Sequence, residues 1–342
     1  MTLLVAAVSV LPLSGCMLPA SADKPRTALS HSSTGDHTRL LDDSYTVSQR
    51  FEANSPAHRE LAIPTLELGD GRRIMFDRLY AKRGMRELHA DVFLPAPSAK
   101  PAQAIVLVHG GAWRSGNKSN FYAMANLLAQ RGYAVVIPEY RLALESPYPA
   151  GLIDVNAAVG WTIENAQAFG IDPRRIAIGG ESSGGQMASL IAYTGGTALF
   201  SGGAAHAPRL NALIDLDGVL DFTTPLALRY ENAAGEDSAA ARWLGGSMET
   251  APQTWREASA ATHLSAASPP TLIVSGEDDR FTAGRDEVIA TLTAEGIPVR
   301  HVHFAGLPHT FWLFDPYLGQ VVEAIDSFLK DLPPARPSQA EE

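Results

Sequence analysis

The sequence predicts an α/β fold, a mostly parallel sheet covered by helices on both faces. Three observations point to it. Short apolar runs with no polar alternation, such as Ala104-Ile105-Val106-Leu107-Val108 and Ala134-Val135-Val136-Ile137, have the pattern of strands buried on both sides. Stretches with apolar residues at helical spacing lie between such runs, as in 154–168 and 318–331. The 342 residues are 46% hydrophobic and 19% charged, enough apolar material for a sizeable core without disulfide staples.

Taken in order, the chain opens with an apolar run, Leu3 to Leu13, too short to span a bilayer and ending in Leu13-Ser14-Gly15-Cys16. This resembles the lipobox of bacterial lipoproteins, although only Thr2 separates Met1 from the run. The resemblance implies a signal peptide over 1–16, a lipidated Cys16, and an exported protein anchored by lipid at the periplasmic or cell-surface side, or else secreted. Residues 17–60 are rich in Ser, Thr, Asp and His with little periodicity and read as a flexible tether. Its histidines, His31, His37 and His58, lack ligand spacing. The folded body is expected over 61–332, and 333–342, opening with Pro333-Pro334, reads as a polar tail.

Within the body, Leu88-His89-Ala90-Asp91-Val92-Phe93-Leu94 alternates like a half-buried strand. Strand 104–108, helix 121–131, strand 134–137 and helix 154–168 follow. Ile176-Ala177-Ile178, 213–216 and 271–274 continue the strands; helix 284–295, strand 299–304 and helix 318–331 complete the series. The stretch 221–268 breaks the alternation and reads as a small helical insertion over the sheet edge.

Charge and cysteine usage exclude several functions. A formal charge of −10 without any Lys/Arg cluster argues against nucleic acid. The single cysteine excludes an intrachain disulfide and a cysteine metal cage. Metal-helix, phosphate-loop and dinucleotide fingerprints are absent, so no metal and no organic cofactor is expected.

The chemistry centres on Gly180-Glu181-Ser182-Ser183-Gly184, between the run 176–178 and a helical stretch. A Gly-x-Ser-x-Gly turn in that setting holds its serine in a strained bend with the hydroxyl exposed, which makes Ser182 the candidate nucleophile and the Ser183 amide a candidate oxyanion donor. After strand 104–108 comes His109-Gly110-Gly111-Ala112-Trp113, whose glycines leave backbone amides unshielded for the same purpose.

A His-Gly-Gly turn upstream of Gly-x-Ser-x-Gly resembles the esterase and lipase branch of the α/β-hydrolases. Tyr140-Arg141-Leu142, Pro147, Pro149 and Asp154 resemble the stretch between those motifs. The resemblance implies an α/β-hydrolase fold and oxyanion amides at Gly111 and Ala112, with Gly110 shaping the turn and His109 structural. It places the acid after strand 271–274, in Ser275-Gly276-Glu277-Asp278-Asp279-Arg280, where spacing from Gly276 favours Asp279 over Asp278, with Asp286 a third candidate. The base is expected at His309, in a loop before the last helix; His301 and His303 share one strand face, and His206 and His263 precede the acid. The runs 279–286 and 308–314 also look like bacterial carbohydrate esterases related to acetylxylan, pectin acetyl and feruloyl esterases. That implies a serine esterase of short acyl, chiefly acetyl, esters on a small molecule or oligosaccharide, with the membrane involved only through a lipid anchor. His-Gly-Gly-x-Trp is also similar to kynurenine formamidase relatives, and a lipase-like preference for longer chains is a further alternative. Trp113, Tyr140, Trp243, Trp255, Phe311 and Trp312 are candidates for an aryl or sugar pocket.

Overall fold

The computed structural model describes residues 42–69 and 71–333. The apolar leader with Cys16, and residues 334–342 of the polar tail, lie outside them. The strands are β1 (Arg73–Arg83), β2 (Arg86–Leu94), β3 (Ala102–Val108), β4 (Ala134–Pro138), β5 (Ile171–Glu181), β6 (Ala212–Leu216), β7 (Thr271–Ser275) and β8 (Val299–His303). They form one eight-stranded sheet in the order β1-β2-β4-β3-β5-β6-β7-β8. β2 is antiparallel to β1 and to β4, and every later pairing is parallel.

Alternate residues of the central strands feed two separate cores. Val106, Val136, Ile178, Leu213 and Ile273 face one side, and Ile105, Leu107, Val135, Ile214 and Leu272 the other. α3 (Ala150–Glu164), the short α4 (Ala166–Phe169), α5 (Ser183–Tyr193) and α9 (Arg285–Ala294) cover the first side; α2 (Tyr122–Gln130) and α10 (Tyr317–Asp331) cover the second. Each such Leu, Ile or Val contributes about 1.5–3 kcal/mol through burial. Double coverage also explains a difference at β2, whose residues 90–94 are all buried although the sequence alternates.

α6 (Pro225–Glu231), α7 (Ala239–Leu244) and α8 (Pro252–Glu257) lie between β6 and β7, so the stretch 221–268 is a helical insertion as expected. The structure differs from the sequence reading at the N-terminal side. Residues expected to be tether include α1 (Val47–Asn54), closed at its start by a capping box between Thr46 and Gln49. Its Phe51 packs against Phe314 with ring centroids 5.8 Å apart. β1 was not expected either, because this edge strand is charged, largely exposed and interrupted by two register shifts.

Register fixes what meets at the strands' C-terminal ends. Val108 pairs with Gly180, Glu181 with Leu216, and Leu216 with Val274. The residues following β3, β5, β6 and β7 therefore converge beside the point where the order of connection reverses around β3, the usual place for a ligand crevice in an open α/β sheet.

Candidate active site

Ser182 sits between β5 and α5 at φ 54°, ψ −124°, a conformation costly for any residue with a Cβ. The flanking glycines are what make the turn possible. A Cβ on Gly180 would lie 2.3 Å from the Gly184 carbonyl oxygen, and one on Gly184 would lie 2.1 Å from that of Val108. The Ser182 amide donates to Leu216 O at 2.8 Å, so the elbow is tied to β6 as well as to its own strand.

The loop after β3 bends back over this serine. Gly111, Ala112 and Trp113 all have positive φ, at 121°, 52° and 60°. The Trp113 amide donates to Ser183 Oγ at 3.2 Å, and the Trp113 ring stacks on Trp243 at 4.8 Å, anchoring the loop to α7. The amide of Gly110 is occupied, donating to Glu181 Oε1 at 3.2 Å, which removes Gly110 from the set of free oxyanion donors. The amides of Gly111 and Ala112 have no acceptor among the described residues, and that of Ser183 heads α5, where the helix supplies none. His109 is buried beneath the loop, stacked on Tyr140 at 4.5 Å, with its Nδ1 donating to Gly110 O at 2.9 Å. Desolvation lowers its pKa to about 4, so it stays neutral and holds the loop.

His309 reaches the cavity from the loop between β8 and α10. Its ring lies flat on Phe281 at 3.8 Å and edge-on to Trp312 at 5.2 Å, which fixes its plane. Its carboxylate partner corrects the sequence reading. His309 Nδ1 is 3.0 Å from Asp217 Oδ2, while Asp217 Oδ1 accepts the Gly276 amide at 3.0 Å. Asp217 is 2% exposed and held at φ 51° directly after β6. Asp279 is instead at the surface, bonded to Arg229 at 2.9 Å and Tyr230 at 2.6 Å. Asp278 caps a short turn through the Arg280 amide, and the exposed Asp286 pairs with Arg285 Nε at 3.0 Å. The physical reason is register: Asp217 follows Leu216, the partner of Glu181, whereas Asp279 lies four residues beyond the end of β7. The signal was available, since Asp217-Gly218 also ends an apolar run and also falls between Ser182 and His309 in the chain.

Two further buried acids surround this point. Glu181, beside the serine, accepts from Gly110 N and from Trp312 Nε1 at 2.6 Å, and burial pushes its pKa up. Asp215 lies beneath the Asp217 turn, accepting the Gly218 amide at 3.1 Å. Burial first and the charge of Asp217 second raise its pKa from 3.8 to about 8. Folding therefore binds a proton that the unfolded chain releases near pH 4, and this residue's contribution to stability falls as pH rises from about 4 to about 8. Asp215→Asn keeps an acceptor for Gly218 and has no such charge. The gap in Tm between the variant and wild type is expected to widen in the variant's favour from pH 5 to pH 9, and equal gaps would contradict the assignment.

Ser182, Ser183, Gly111, Ala112, Trp113 and His309 line one cavity of about 380 Å³. Of the aromatic candidates only Trp113 faces it, while Tyr140, Trp243, Trp255, Phe311 and Trp312 are core residues. Its wall also contains groups the sequence did not single out: Tyr45 and Arg50 from the N-terminal segment, Gln186 from α5, and Glu231 with Arg280. Gln186 is fixed by Trp113 Nε1 at 3.1 Å and by the Ala258 carbonyl at 2.8 Å. His301 and His303 lie elsewhere, sharing the Ser275 hydroxyl at 2.8 and 3.1 Å.

The fold has counterparts among known proteins. A propionate-bound thermophilic esterase of Thermogutta terrifontis superposes with a TM-score of 0.62 at 22% identity, covering 79% of this chain and 97% of that one. A truncated carbohydrate esterase from gut microbiota gives 0.63 at 22% identity, covering 78% and 99%. At this identity the likeness establishes the fold, that of the α/β-hydrolases. In sequence, a probable carboxylic ester hydrolase of Mycobacterium tuberculosis, LipM, is 31% identical over 63% of this chain and 50% of its own length. Carboxylesterase NlhH of the same species is 33% identical over 43% of this chain and 46% of its own. The chain thus spans about half the length of these curated relatives. The BD-FAE family model matches residues 90–286, more than half of the sequence, from β2 through the elbow and Asp217 to the start of α9. This chain is a member of the BD-FAE family.

Proposed function

We propose that this protein is a serine hydrolase of short-chain carboxylic esters. Ser182 attacks the acyl carbon while His309 takes its proton at Nε2. Asp217 holds the opposite proton on Nδ1 and stabilises the imidazolium. The amides of Gly111, Ala112 and Ser183 receive the oxyanion. His309 then protonates the leaving alcohol and activates the water that releases the acyl group. The observation that carries this reading is the convergence on one cavity of a strained serine and a histidine whose Nδ1 is bonded to a buried aspartate. The esterase names of the sequence relatives support it.

The acyl group is short, because a cavity of about 380 Å³ is near the lower end of ligand pockets, which run from roughly 300 to 1,000 Å³. An acetyl ester on a sugar or small aryl alcohol fits that space. The expected order of kcat/KM on para-nitrophenyl esters is acetate, then butyrate, then octanoate, with acetate also released from acetylated xylan or pectin fragments. A preference for octanoate would remove the short-chain reading, and faster turnover of N-formylkynurenine than of any ester would replace it with a formamidase.

A further inference from the structure

Three guanidinium groups line the cavity, and their partners differ. Arg280 is held by Glu231, which is 2% exposed, through contacts of 2.6 and 3.0 Å to the two carboxylate oxygens. Arg114 lies 3.2 Å from the Asp42 carboxylate. Arg50 has no carboxylate within ion-pair distance among the described residues; its guanidinium lies over the Tyr45 ring at 5.3 Å, and its Nε is buried without an acceptor. Arg50 thus brings to the cavity wall a positive charge that no carboxylate among the described residues offsets.

Arg50 is also fixed in place. The capping box starts its helix, and Phe51 docks on Phe314. Asn54 Nδ2 donates to the carbonyl of His309 itself at 3.4 Å and to Thr310 Oγ1 at 3.2 Å, while the Tyr45 amide donates to Ser115 Oγ at 3.0 Å. The segment thus bridges the histidine loop and the oxyanion loop.

We infer that Arg50 is a specificity residue that binds a carboxylate carried by the ester substrate. This deepens the esterase reading and rests on it. A planar guanidinium matches a carboxylate in a forked arrangement. One uncompensated positive charge balances a monoanion, whereas a phosphate monoester carries about −1.5 to −2 and would call for more.

The test compares charged esters with neutral isosteres, with the carboxylate on either side of the scissile bond. On the alcohol side, 4-acetoxybenzoate is set against its methyl ester; on the acyl side, mono-4-nitrophenyl succinate against 4-nitrophenyl butyrate. In wild type one charged member is expected to exceed its isostere in kcat/KM by about tenfold or more, through KM, the effect of one charge-assisted contact. The pair that shows it locates the carboxylate. Arg50→Gln is expected to bring that ratio to about one, and added NaCl to lower it in wild type. Turnover of all four esters with no preference for a charged one overturns the inference and leaves the esterase reading intact, as does a preference that survives Arg50→Gln and salt. No turnover of any ester by wild type overturns both. If Arg50→Gln does not fold, the wild-type ratio and its salt dependence decide alone.

Discussion

Replacing Ser182 with alanine is expected to lower kcat on para-nitrophenyl acetate by on the order of 10⁶-fold, to the limit of detection, as happens when the nucleophile of such a unit is removed. The variant should fold. Serine and alanine meet the same Cβ cost at φ 54°, and the elbow's backbone bond from Ser182 N to Leu216 O does not involve the hydroxyl. Its Tm is accordingly expected within about 2 °C of wild type. Binding of a non-hydrolysed product acid should persist, since the cavity walls are unchanged. Wild-type turnover by a pure Ser182→Ala preparation would mean that the elbow is a structural turn.

The second large effect separates two aspartates. Asp217→Asn is expected to reduce kcat by about 10⁴-fold, while Asp279→Asn changes it by no more than about twofold. The difference follows from which atoms each carboxylate faces. The Gly276 amide donates to Asp217 Oδ1, so an asparagine at 217 turns its oxygen toward that amide and its NH₂ toward His309. Facing a donor, Nδ1 loses its proton and the imidazole carries it on Nε2, where it cannot accept one from Ser182. Asparagine also tolerates the φ of 51° at this position, so geometry is retained while the tautomer is wrong. Asp279 pairs with Arg229 where both side chains are about 60% exposed, and such a pair contributes at most about 1 kcal/mol. Measuring kcat for both variants on one ester at one pH decides between the carboxylates.

Much of this molecule was legible in the sequence because its central strands are short and apolar. Runs such as 104–108 and 213–216 have the length and apolar character of doubly covered strands, and all seven anticipated strands are present. The elbow was legible for a local reason: its glycines are demanded by contacts within and beside the turn, so the motif carries its own geometry. The acid was not. Asp217 and His309 are 92 residues apart, and their contact depends on the lateral register of β5, β6 and β7, which no local pattern encodes. The resemblance supplied a position after β7, and Asp279 occupies that position without reaching the histidine. α1 escaped notice for a different reason. Its eight residues are mostly polar, none is fully buried, and the helix is held by a cap, one aromatic contact and side-chain bonds to distant loops. Arg50 therefore looked like part of a solvated tether, and its place in the cavity wall emerges only from the tertiary structure.

Covalent labelling addresses the unit formed by Ser182, His309 and Asp217 most directly, because the reagent reports nucleophile activation without depending on the natural substrate. Wild type, Asp217→Asn and Asp279→Asn would each be treated with a fluorophosphonate, with the rate followed by intact mass and the site mapped by peptide mass spectrometry. A single adduct on Ser182 is expected, forming at similar rates in wild type and Asp279→Asn and slowed by orders of magnitude in Asp217→Asn. An adduct on another residue, or slow labelling in Asp279→Asn with normal labelling in Asp217→Asn, would contradict the assignment of these three residues to one catalytic unit.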